Sequence, residues 1–308
     1  MNNKLISVYL VSTAASMFAQ VSPTAVGPRS VVRQVDHIIV QVDTVANAKS
    51  LWSVFSKTLN LPIAWPPADY KGFFSGGVNV GNVNLEFAYS KDESAPASSL
   101  GDRVANARFG GLGLEPVPLA EAVARLVELR LRHSKPDAYQ QAQDETGKKL
   151  ILWTTVYLDE LSKNMDIFLC EYSNDLFRTD NPPRRDIQDN RRYLTDQLKQ
   201  RNGGPMGIDS IKEIVIETSN YETIASLWGK LLNEKTPPPG EELKASQGPA
   251  LRLVPSGSDT IRSIVVRVAD LGRARRFLKE KGLLGEDLKD RIVIDPAKLM
   301  GIDVQFVE

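Results

Sequence analysis

Val35-Asp36-His37-Ile38-Ile39-Val40-Gln41-Val42 is a run rich in β-branched residues, and it reads as a strand. Its pattern returns. Ile211-Lys212-Glu213-Ile214-Val215-Ile216-Glu217-Thr218 sets against it position for position, and Arg262-Ser263-Ile264-Val265-Val266-Arg267-Val268 fits the same frame. An amphipathic helix follows each copy. After the first, Val45, Ala48, Leu51, Trp52, Phe55 and Leu59 recur at spacings of three and four, with Asp43 or Thr44 as the cap. After the second come Tyr221, Ile224, Ala225, Trp228 and Leu231, and after the third Leu271, Ala274, Phe277 and Leu278. The closing strands match as well, Val83-Asn84-Leu85-Glu86-Phe87 against Ile302-Asp303-Val304-Gln305-Phe306. A Gly-rich strand at Phe109–Pro116, with its own helix around Leu119–Val127, supplies a further unit. The spacing predicts four modules, A to D, in two pairs: an α+β chain with domains at 33–173 and 208–308. A polar connector at 174–207 separates them, with a charged helical stretch around Asp186–Gln200.

Composition sets the outer bounds. The 308 residues suit about two domains, and 42% hydrophobic with 25% charged residues is enough to bury a core. Lys plus Arg equals Asp plus Glu, so no whole-chain basic field favours nucleic acid or an anionic membrane. The N-terminus differs from the rest. A short polar start with one positive charge, Met1–Lys4, precedes the apolar run Leu5–Ala19, which ends in small residues. That is the pattern of an export signal over 1–19, too short for a membrane span, followed by a linker at 20–32. The expected mature protein is exported, periplasmic or extracellular, and leaves the membrane once the signal is removed. Cys170 is the single cysteine, which rules out an internal disulfide; its apolar run Ile167-Phe168-Leu169-Cys170 predicts a buried, inert thiol.

The strand carrying Val35-Asp36-His37-Ile38, the helix after it, and the strand ending Asn84-Leu85-Glu86-Phe87 resemble the glyoxalase, or vicinal-oxygen-chelate, superfamily. The stretch from Phe74-Ser75-Gly76-Gly77-Val78 to Glu86 is similar to its glyoxalase-like domain proteins. The likeness is strong over 33–90, fair over 105–173 and weaker over 208–308. It implies paired βαβββ modules curled into a cup, which commonly holds one divalent metal (Zn, Mn, Fe, Ni or Mg) on the first and last strands of each module. Carried over position by position, the resemblance implies His37 and Glu86 as ligands in module A, and Glu171 on the last strand of module B, because Glu171-Tyr172 sits as Glu86-Phe87 does. The remaining position falls near Gly111, which has no donor. One imidazole and two carboxylates suit a divalent ion with open positions. In modules C and D the same places hold Glu213, Arg252, Ser263 and Gln305, so the second cup is expected to be metal-free, with Glu213 and Arg252 as an ion pair.

Other residues carry plainer expectations. His133 is a solvated residue after a helix. Tyr70, Phe73, Trp65 and Trp153 read as core packing before pocket lining. Gly76-Gly77 and Gly110-Gly111-Leu112-Gly113 read as bulges or close backbone approaches. Arg184-Arg185 and Arg191-Arg192, interleaved with acids, read as a solvated connector. Fold membership fixes no reaction. One function class is a metal-dependent lyase or isomerase acting on a small oxygen-rich substrate; the other is a metal-free small-molecule-binding or interaction protein using the same cup. A ring-cleaving iron dioxygenase fits poorly, since the chain has only two histidines. The expected partner is a small-molecule ligand, and a homodimer is compatible with the sequence.

Overall fold

The computed structural model describes residues 30–70, 72–91, 107–142, 149–178 and 182–308. The expected signal, and the linker up to residue 29, lie outside the described residues. Among those described, no helix is long and apolar enough to cross a membrane.

Module A is β1 (Val32–Val42), α1 (Val45–Ser53, continued by a π-helical turn over Val54–Thr58), β2 (Ile63–Tyr70), β3 (Phe73–Asn79) and β4 (Asn84–Ser90). Module B is β5 (Ala107–Pro116), α2 (Leu119–Glu128), β6 (Asp137–Ala142), β7 (Lys149–Tyr157) and β8 (Asp166–Tyr172). Together they form one eight-stranded sheet, ordered β2-β3-β4-β1-β5-β8-β7-β6, that curls into a half-barrel. The connector folds as α3 (Asn174–Arg178) and α4 (Ile187–Gln200), the latter capped by the Asp186 side chain. The second sheet has seven strands. Module C gives β9 (Ile208–Thr218), α5 (Tyr221–Leu232), β10 (Glu242–Lys244) and β11 (Ala250–Pro255). Module D gives β12 (Thr260–Val268), α6 (Leu271–Glu280), β13 (Leu284–Asp287), β14 (Ile292–Ile294) and β15 (Asp303–Val307).

The α+β class and the paired curled sheets follow from how first and last strands meet. β1 lies parallel to β4, β5 to β8, β9 to β11 and β12 to β15, while β1 with β5 and β9 with β12 run antiparallel at the centre of each sheet. A parallel neighbour needs a crossover, and the amphipathic helix supplies it on the convex side. There Leu51, Phe55, Leu85 and Phe87 are at most 2% exposed. Each such side chain, taken from water, contributes about 1.5–3 kcal/mol. The two domains share one hydrophobic core.

Four strands differ from the sequence expectation. Pro62, Pro66 and Pro67 were expected to break regular structure, yet β2 runs through two of them. It tolerates them because it is an edge strand whose pairing slips between Trp65 and Ala68. β6, β10 and β13 carry too little apolar alternation to stand out in the sequence; β6 reads DAYQQA.

Candidate functional site

Strand alternation turns His37, Ile39 and Gln41 of β1 into the concave cup, while Ile38 and Val40, fully buried, go to the core. Asp36 breaks the alternation. Val35 sits opposite Leu114 and His37 opposite Gly113, so Asp36 has no partner on β5: it is the extra residue of a bulge. Its Oδ2 lies 2.7 Å from His37 Nδ1 and accepts the Tyr172 hydroxyl at 2.9 Å. Its other oxygen is ion-paired with Arg191 of α4.

Arg191 corrects the reading of the connector as a solvated basic segment. Its side chain is 15% exposed, and it reaches Glu115 Oε2 at 2.5 Å as well as Asp36. Glu115 also accepts from Gln34 (2.9 Å) and Gln188 (2.7 Å) and pairs with Arg33 (3.1 Å). Burial alone would raise the Asp36 pKa, but Arg191 and the hydrogen bonds from His37 and Tyr172 outweigh it and hold the carboxyl well below its usual range. The Glu115 pKa is raised, by burial first, against the opposing charge of Arg191.

On its far side, His37 Nε2 lies 3.4 Å from Glu86 Oε2. Glu86 alternates with the buried Leu85 and Phe87 and points into the cup. Its Oε1 accepts the Ser75 hydroxyl at 2.6 Å, and Ser75 accepts the Trp65 indole N–H at 2.9 Å. Two glycines make room. A Cβ on Gly113 would stand 2.1 Å from the His37 ring, and one on Gly77 would stand 2.5 Å from the Trp65 ring. Both glycine clusters of the sequence are thus close-approach points.

Glu171 does not join His37 and Glu86. It is exposed on the outer side of β8, where its carboxylate accepts the Leu119 N–H at 2.8 Å. It caps the start of α2, whose own N-cap is Pro118 with no side-chain hydrogen bond. The register explains the misplacement. In module A the residue two after His37, Ile39, faces Glu86; in C, Val215 faces Arg252; in D, Val265 faces Gln305. In module B the residue two after Gly111 is Gly113, and it faces Phe168. The counterpart of Glu86 is therefore Phe168, three residues before Glu171.

Among the described residues, no group of three or more His, Cys, Asp or Glu side chains converges as a metal would require. A resident zinc-like ion is held by three or four protein donors, and the four equivalent places of the first cup hold His37, Glu86, Gly111 and Phe168. These residues do not fit such an ion. In the second domain the Glu213–Arg252 pair stands as expected, with Glu242 3.5 Å from Arg252 on the other side and the Ser263 place fully buried.

The first cup encloses a cavity of about 1340 Å³. Tyr70, Phe73, Trp65 and Trp153, expected as core, are half-buried and line it. Tyr139 stacks on Trp153 (centroids 4.3 Å apart, planes 4° apart), Tyr70 stacks on Phe73 (4.9 Å), and Tyr70 meets Trp153 edge-on at 5.8 Å. Tyr139 went unnoticed because β6 did. Cys170 faces the same cavity and is buried as expected, its thiol pKa pushed well up by burial and then by the Asp36 charge. His133 lies away from the cup, half-buried, with Nδ1 2.7 Å from the Ser134 carbonyl.

The sequence matches no protein-family profile and no curated protein. Solved structures do share the architecture. A hypothetical protein from Staphylococcus aureus superposes with a TM-score of 0.54 at 12% identity, over 89% of this chain and 98% of its own. A mutant of 4-hydroxymandelate synthase from Streptomyces coelicolor superposes with a TM-score of 0.50 at 11% identity, over 90% of this chain and 92% of its own. At such identities the likeness is one of fold: the chain has a vicinal-oxygen-chelate-like fold, built of two curled-sheet domains.

Proposed function

We propose that the first domain is a small-molecule-binding cup that works without a resident metal. The observation that carries this reading is that, of the four equivalent ligand places, only those of His37 and Glu86 carry a donor into the aromatic-walled cavity, Gly111 and Phe168 holding the other two. A cavity with apolar walls and a few convergent polar groups is the usual form of a ligand site. His37 and Glu86 give it a proton donor and a proton acceptor in one place. Proton transfer to or from a bound substrate, as in a lyase or isomerase step, is the chemistry they offer. The protein acts outside the cytoplasm in this reading, because Leu5–Ala19 has the composition of an export signal; N-terminal sequencing of the mature protein from its native host checks that.

Elemental analysis of the purified mature protein decides between this and the metal-dependent class. Less than about 0.1 equivalent of Zn, Mn, Fe or Ni is expected, with no thermal stabilisation on adding any of them or Mg. Stoichiometric metal that is lost in both His37→Ala and Glu86→Ala overturns the proposal. Ligand screening by thermal shift should give hits in the wild type that Trp153→Ala loses.

A further inference from the structure

The floor pair does not account for the character of the cavity's walls. The stacked pairs Tyr139–Trp153 and Tyr70–Phe73 meet at a steep angle, 69° between the Tyr70 and Trp153 planes, and so form the corner of an aromatic box. Aromatic faces carry the negative part of the ring quadrupole. The charged residues of the lining lean the same way. Among the described residues, Glu86, Asp137, Asp159 and Asp166 are carboxylates, against Lys149 and the imidazole of His37. Lys149, Asp137 and Asp159 are exposed at the mouth; deeper in, Glu86 is paired with His37 and Asp166 accepts from Gln41, so the two inner carboxylates outnumber the one imidazole.

We infer that the ligand of this cup is a small organic cation, an amine or quaternary ammonium with an apolar body. This rests on the small-molecule-binding reading above and names its ligand class. The cation sits in the aromatic corner, where ring faces attract it, and the carboxylates neutralise it. Two tyrosines have raised pKa values, through burial first and nearby carboxylates second. The Tyr157 phenol is pushed up to about 12, by burial first and then by Asp166 and Asp137. The Tyr70 phenol is raised by burial and then by Glu86. A second negative charge is disfavoured there, and an anionic ligand would meet the same opposition.

Calorimetric titration of the full mature protein with three probes of similar size tests this: benzyltrimethylammonium, phenylacetate and benzyl alcohol. Benzyltrimethylammonium is expected to bind about tenfold more tightly than either of the others. Glu86→Gln and Trp153→Phe, both conservative in size, are each expected to weaken it several-fold. The comparison of probes on the wild-type protein stands even if a variant fails to fold. If phenylacetate or benzyl alcohol binds as tightly as the cation, the cation assignment falls while the binding cup survives. If none of the three binds, the cation assignment falls as well, and the ligand screen and metal analysis decide the cup separately.

Discussion

His37 is held between two carboxylates, and its protonation state follows from them. Burial by itself lowers its pKa, but the Asp36 hydrogen bond and the charges of Glu86 and Asp36 outweigh burial and the opposing Arg191, so the pKa is raised. A raised folded-state value means that the imidazolium adds stability. That contribution is complete below the unfolded value of about 6.5 and is lost as the pH rises through the folded one. Two-dimensional NMR of the two imidazoles should therefore show His37 titrating above about 6.5 in the wild type and lower in Glu86→Gln. A His37 value at or below the unfolded one contradicts the network. The sequence carried half of this arrangement: His37 and Glu86 were legible from strand alternation and from the resemblance. Arg191 was not, because a basic residue among acids in a polar helix looks the same whether it faces water or reaches Asp36 across 155 residues.

At the scale of elements, β5 owes its glycines to what crosses it. The His37 ring lies against Gly113, and the Asp166 carbonyl would stand 2.1 Å from a Cβ on Gly111. Gly113→Ala is expected to push the ring off its place between Asp36 and Glu86. The cost should be about 1–3 kcal/mol in denaturant unfolding, as for other over-packed sites, with the His37 imidazole signals displaced. Unchanged signals and unchanged stability would show that β5 has slack the structure does not suggest. Glu171 illustrates the limit of element-level reading. Glu-Phe and Glu-Tyr dipeptides at the ends of two strands look equivalent by residue type. A strand has a period of two, so an odd slip reverses the face, and the pairing of β5 with β8 sets that register.

Across the whole molecule, the two domains are hydrogen-bonded to each other through turns and strand ends. Asn82, in the β3–β4 turn, imitates a strand: its side chain donates to the Ile211 carbonyl at 2.9 Å and accepts the Ile211 N–H at 2.8 Å. Beside it Gly81 has φ +80°, and a Cβ there would stand 2.0 Å from the Asp209 carbonyl, so only glycine fits the contact. Val31 N–H bonds to the Leu231 carbonyl and Ala107 N–H to that of Met300, both across the same junction. With one shared core, the domains should unfold together. Asn82→Ala is expected to cost about 1–3 kcal/mol by leaving the Ile211 backbone groups unpaired, and calorimetry should still show a single transition. Two separated transitions in the wild type would mean that the junction couples the domains less than its bonds imply.

Strand alternation and helical spacing along the chain were enough to mark out the strongly periodic strands and helices, the module pairing, and the Glu213–Arg252 substitution in the second cup. All of these depend on spacing along one strand or on aligning one unit with another, and such information is local. That Glu171 caps a helix, that Arg191 belongs to the site, and that Trp65, Tyr70, Phe73, Tyr139 and Trp153 wall a cavity emerges from the folded arrangement. The physical reason is that a residue's type fixes what it can bond to, whereas register and curl fix what stands opposite it. An aromatic ring on a curled edge strand carries the same sequence signal whether the curl closes on core or on open space.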